Sequence, residues 1–191
     1  MDGAVKIANI ALARLGESPI QNFGEGSVPA NMAKIFYDSA RRATLRDFNW
    51  NFAVAVAPLA KLAEKPVDFR SAFALPADCL RVLAVRGEGG LPVPFVIRAG
   101  ALCTDAESVE VEYTYDCEDP ALFDDKFVEA FSFKLASELA MPVKGSAELM
   151  ANYMNVYNAF VERAATISAD EEQQEPISDN PYVEARFYGS Y

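Results

Sequence analysis

The chain has 191 residues, half of them hydrophobic and about a quarter charged, a composition that suits one folded domain with a real core and excludes a disordered chain. Its 17 basic residues stand against 28 acidic ones, a net charge of -11, which excludes tight binding to a phosphate backbone. There is no histidine, so Ser-His-Asp, Cys-His and His-metal chemistry is excluded as well.

The N-terminus mixes Asp2, Lys6, Asn9 and Arg14 with its apolar residues. It therefore predicts neither a secretory leader nor a membrane span, and a chain made in a cytoplasm. Val5, Ala8, Leu12 and Leu15 recur at three- and four-residue steps and Gly16 follows, which predicts a helix from Asp2 to Leu15. Ser27 is placed to cap a second helix from Pro29 to about Asp47, with Ala33, Phe36 or Tyr37, Ala40, Thr44 and Phe48 at the same spacing. Arg41, Arg42 and Arg46 cluster at its end. They form either a patch for a phosphate backbone or an acidic neighbouring subunit, or a complement to the helix dipole, with Asp38 pairing Arg42.

Trp50 to Leu59 places Phe52, Val54 and Val56 on a two-residue period and reads as extended. Phe73 to Leu75, Leu80 to Val85, Val93 to Arg98, Ala101 to Cys103 and Val109 to Tyr115 follow as strand candidates, predicting an antiparallel meander over about 50-117. In the last of them Val109, Val111, Tyr113 and Tyr115 alternate with Glu110, Glu112 and Thr114, so the first set is expected packed and the second wet. Gly87, Gly89 and Gly90 match no phosphate-binding pattern and read as a turn.

Asp119-Pro120 is expected to open a third helix, with Phe123, Phe127, Phe131, Leu135 and Leu139 as its apolar stripe and Met141-Pro142 as its end. A fourth, from about Ser146 to Ile167 or beyond, buries Met150, Met154, Tyr157, Val161 and Ala164. The fold class is thus α+β, a four-helix bundle over residues 1-175 with an inserted small antiparallel β region, and an extended tail over 176-191.

Residues 168-191 hold Asp170, Glu171, Glu172, Glu175, Asp179 and Glu184 against Arg186 alone. Pro176 and Pro181 oppose regular structure there. Tyr182, Phe187, Tyr188 and Tyr191 have no core of their own, so with Arg186 they are candidate partner-binding residues, either on a partner or folded back on the domain. The tail is expected to be mobile in the free protein and ordered against a partner. Cys79, Cys103 and Cys117 are odd in number and widely spaced, which predicts reduced, metal-free thiols. Glu110, Glu112, Asp116, Glu118, Asp119, Asp124 and Asp125 are carboxylates available for acid/base work, but a solvent face and a helix N-terminus account for them. No catalytic residue and no cofactor is expected.

In order along the chain, Ile10-Ala11-Leu12-Ala13-Arg14-Leu15-Gly16 with Pro19-Ile20, Tyr37-Asp38-Ser39-Ala40-Arg41, and Asn49-Trp50-Asn51-Phe52-Ala53 resemble the tail tubular protein A family. The likeness continues through Leu59-Ala60-Lys61-Leu62, Phe73-Ala74-Leu75-Pro76-Ala77-Asp78, Leu80-Arg81-Val82, the Tyr113 strand, Phe127 and Leu135-Ala136. That family supplies head-to-tail adaptors, or connectors, of short-tailed bacteriophages. The resemblance implies a structural virion protein of the neck and a homo-oligomeric ring, usually of 12 copies. Such a ring docks between the portal protein and the tail tube or nozzle, and double-stranded DNA passes through it at ejection without specific binding. It brings no catalytic residue and no membrane. An acidic channel wall fits a conduit along which DNA slides. The alternative is an acidic DNA mimic that inhibits a host nucleic-acid-binding protein, supported by charge alone.

Overall fold

A computed structural model describes residues 3-64 and 66-172, with the side chains of the last helix described through Ala164. It is a mixed α+β fold. Among the described residues there are four helices, α1 (Gly3–Arg14), α2 (Val28–Asp47), α3 (Asp125–Lys144) and α4 (Ala147–Glu172), and two antiparallel three-stranded sheets between α2 and α3.

α1 buries Val5, Ala8 and Leu12, and Gly16 ends it at φ 69°. The Ser27 hydroxyl caps α2 by accepting from the Ala30 N–H. α3 begins later than its sequence suggests. Asp119 instead caps a 3-10 turn at Pro120–Leu122, and Asp124 is the residue whose carboxylate accepts from the Phe127 N–H, at 2.6 Å. The helix also runs past Pro142, whose missing N–H falls in the last turns, and stops at Gly145, which takes the left-handed φ of 63° that glycine tolerates.

α3 lies against α1, α2 and α4, and Phe127, Phe131, Leu135 and Leu139 are fully buried among them. Edge-to-face aromatic contacts run from Phe23 through Tyr37 to Phe131 and from Phe48 through Trp50 to Phe127. On α4 the packed residues are Leu149, Tyr153, Met154, Tyr157, Phe160 and Val161, while Met150, expected inside, is 40% exposed.

The predicted single meander is replaced by two sheets. In the first, β6 (Glu110–Tyr115) is central between β1 (Val54–Pro58) and β3 (Cys79–Arg86). Val56 stands opposite Glu112, and the β3 pairing slips twice, beside Arg81 and beside Ala84. In the second, β5 (Ala101–Thr104) is central between β2 (Ser71–Ala74) and β4 (Val96–Arg98). β4 and β5 form a hairpin whose two loop residues, Ala99 and Gly100, both have positive φ, the two-residue turn that follows strand twist. The segment from Trp50 is not extended at its start, because Asn51–Ala53 forms a 3-10 turn that sends both Trp50 and Phe52 into the helical core. A second core of Phe73, Val85, Leu102, Val109, Val111 and Tyr113 lies within the sheets, and Tyr115 packs against both cores.

Candidate functional site

The three arginines at the end of α2 part company. Arg41 is buried, its Nη1 donating to Asp116 Oδ1 at 2.6 Å and to the Cys117 carbonyl. Arg42 is half exposed with its Nε 3.4 Å from Asp116 Oδ2, and Arg46 is exposed. The expected Asp38 to Arg42 pair is instead Asp38 to Arg41, at 3.7 Å. A fourth arginine joins them, since Arg81 of β3 donates to the Arg46 carbonyl at 2.9 Å. Nothing in the sequence signals this neighbour, because the approach of β3 to α2 is tertiary. Arg42, Arg46 and Arg81 therefore line an exposed seam between helix and sheet, while Arg41 clamps the seam from within.

Beside the other end of the seam is a groove of about 520 Å³, lined by Phe48, Asn49, Trp50, Asn51, Asp124, Lys126, Glu129, Phe160, Arg163 and Ala164. Trp50 is its floor. It is 3% exposed, and its indole N–H donates to the Thr44 carbonyl at 2.8 Å. The α3 N-terminus opens on one side and α4 closes the other. Tyr157 of α4 donates to Asp47 Oδ2 at 2.7 Å, and burial, then the Asp47 carboxylate, push its phenol well above the ordinary tyrosine value. Asn49 and Asn51 are exposed. Asp124 is committed to its cap, and the charge of Glu129 acts on Arg14.

Four of the seven carboxylates weighed for catalysis have structural partners. Asp116 holds Arg41, Asp119 caps the 3-10 turn, Asp124 caps α3, and Glu112 lies 3.7 Å from Arg86. Gly89 and Gly90, at φ 72° and 76°, form the turn after β3, where the Gly87 N–H donates to the Leu91 carbonyl. Among the described residues no group of three or more His, Cys, Asp or Glu is placed to hold a metal, and no helix is long and apolar enough to cross a membrane. Tyr182, Arg186, Phe187, Tyr188 and Tyr191 lie outside the described residues. No protein-family model matches the chain, and no curated protein matches it.

Proposed function

We propose that this chain is a non-enzymatic structural protein of a phage virion, a head-to-tail adaptor that forms a ring between the portal and the tail tube and gives DNA a passage at ejection. The observation that carries the reading is the ordered set of segments around Asn49-Trp50-Asn51-Phe52-Ala53 that resembles the tail tubular protein A family. In this reading α1 to α4 form the bundle of each subunit, the sheets project from it, and residues 176-191 are an extended arm that grips the portal or the next copy. Two further facts support it. The side chains that resemble the family also pack together, with Leu12, Tyr37, Trp50, Phe127 and Leu135 sharing one core. The net charge of -11 keeps a passing duplex from sticking to the ring.

The charge also favours a second reading, an acidic mimic of nucleic acid that occupies a host nucleic-acid-binding protein. Electron micrographs of the chain mixed with its portal, with native mass of the chain alone and mixed, separate the two. A ring added to the portal is the expected result. A chain that stays small, adds nothing to the portal and captures a nucleic-acid-binding protein would overturn it.

A further inference from the structure

The groove over Trp50 has the makings of a peptide site. Its floor and walls are aromatic, Trp50, Phe48 and Phe160, and its rim carries two exposed side-chain amides, Asn49 and Asn51. An amide presents both a donor and an acceptor, which is what an unpaired extended backbone needs. Lys126 and Arg163 also stand on the rim, and neither has an ion pair among the described residues. They lie next to the positive end of α3, whose first turn is capped by the rim carboxylate of Asp124, and Glu129 is the second rim acid. Two cations without ion pairs among the described residues, two amides and aromatic walls suit an aromatic, extended strand that carries carboxylates of its own.

We infer that the groove receives residues 176-191 of a neighbouring copy, with the aromatics of that segment on Phe48 and Phe160 above Trp50 and its acids on Lys126 and Arg163. The segment has the matching groups, Tyr182, Phe187, Tyr188 and Tyr191 with Asp179 and Glu184, and two prolines that favour an extended backbone. Reach is sufficient. α4 continues eight residues past Ala164 to Glu172, about 12 Å of helix at 1.5 Å per residue. The 19 residues that follow in the sequence extend to about 60 Å. The acidic run Asp170, Glu171, Glu172 and Glu175 opposes a tight reversal after α4. The choice of a neighbour over the same chain rests on the ring reading, in which every copy offers one groove and one arm.

The test uses the full chain. In Asn51→Cys with Ser190→Cys, mild oxidation should give a ladder of covalent multimers that neither single variant gives. Closed monomers alone would mean that the segment folds back on its own chain, and no bond at all would mean that it docks elsewhere; either result overturns the inference. Lys126→Glu with Arg163→Glu changes two exposed residues and should leave the melting temperature unchanged. It should lower ring yield on the portal about tenfold, as two lost and reversed ion pairs convert. Asp179→Lys with Glu184→Lys in the same chain should restore the yield. Undiminished rings with the reversed groove would sink the inference and leave the adaptor reading standing. Covalent multimers without any ring on the portal would do the opposite.

Discussion

Arg41 and Asp116 meet at 2.6 Å across the boundary between helix and sheet, with the guanidinium 3% exposed and the carboxylate 16%. Seventy-five residues separate them in sequence, so the pair locks the end of β6 to α2 only once both cores have formed. The Cys117 carbonyl takes a second hydrogen bond from the same guanidinium nitrogen. Removing the Asp116 charge leaves the buried guanidinium only the Cys117 carbonyl and the exposed Asp38 at 3.7 Å. Asp116→Asn should therefore cost about 3 kcal/mol or more in denaturant unfolding. Arg42→Ala, which touches the same carboxylate from solvent, should cost at most about 1 kcal/mol. Equal effects would mean that burial does not govern this seam.

Thr114 makes a sharper test of the sheet. It alternates with apolar residues as a solvent-facing position does, yet it is fully buried, and its hydroxyl has no hydrogen-bond partner among the described residues. Replacing it with valine keeps the shape and removes the unpaired hydroxyl. Thr114→Val should be neutral or raise stability by up to about 1 kcal/mol. A clear loss in the melting temperature would show that the hydroxyl is bonded in solution.

Thr114 also shows where sequence reading stops. Period two tells which residues share a face, and Val111 and Tyr113 are packed as that period predicts. It says nothing about what covers the other face, where Thr114 is buried too. Strand partners are equally silent: β1 and β6 pair across more than fifty residues, and no local pattern encodes that register. Helices were legible because their faces follow from spacing alone, as Phe127, Phe131, Leu135 and Leu139 demonstrate. On α4 Met154, Tyr157 and Val161 pack as their spacing predicts, while in the first turn Leu149 packs in place of Met150. At the candidate site, Arg41, Arg42 and Arg46 were visible as a cluster, but their division into one buried clamp and two exposed charges was not. Phe160 and Arg163 share one turn of α4, but Lys126 comes from the first turn of α3 and meets them only in the fold.

The thiols give a chemical check. Cys79, Cys103 and Cys117 are free, the last two buried. Burial, then the nearby Asp78 charge, push the half-buried Cys79 thiol up, which leaves little thiolate near neutrality. Disulfide-exchange reagent should count three thiols in the denatured chain and react slowly with all of them in the native one. A fast native thiol, or fewer than three after denaturation, would contradict this.

Alkaline pH should unfold the chain through its tyrosines. In the unfolded state a phenol ionises near pH 10. In the folded chain the adjoining Cys117 side chain, then burial, push Tyr115, whose hydroxyl donates to the Phe52 carbonyl, up to about 12, and Tyr157 is pushed further by burial and by Asp47. Below pH 10 both states hold these protons and pH has no purchase. Above it the unfolded state sheds protons that the folded state keeps, so ionisation favours unfolding. Stability should thus be flat on this account up to about pH 10 and fall steadily between 10 and 12, with the Tyr157 contribution continuing past that window. Tyr157→Phe keeps the ring on α4 and removes the proton, so its stability should fall less steeply above pH 10, at the cost of the bond to Asp47 below it. Phenolate absorbance at 295 nm, followed beside circular dichroism, reads both events. Tyrosines that ionise fully near pH 10 while the helices stay intact would overturn the assignment of Tyr157 as the buried donor that fastens α4 to the end of α2.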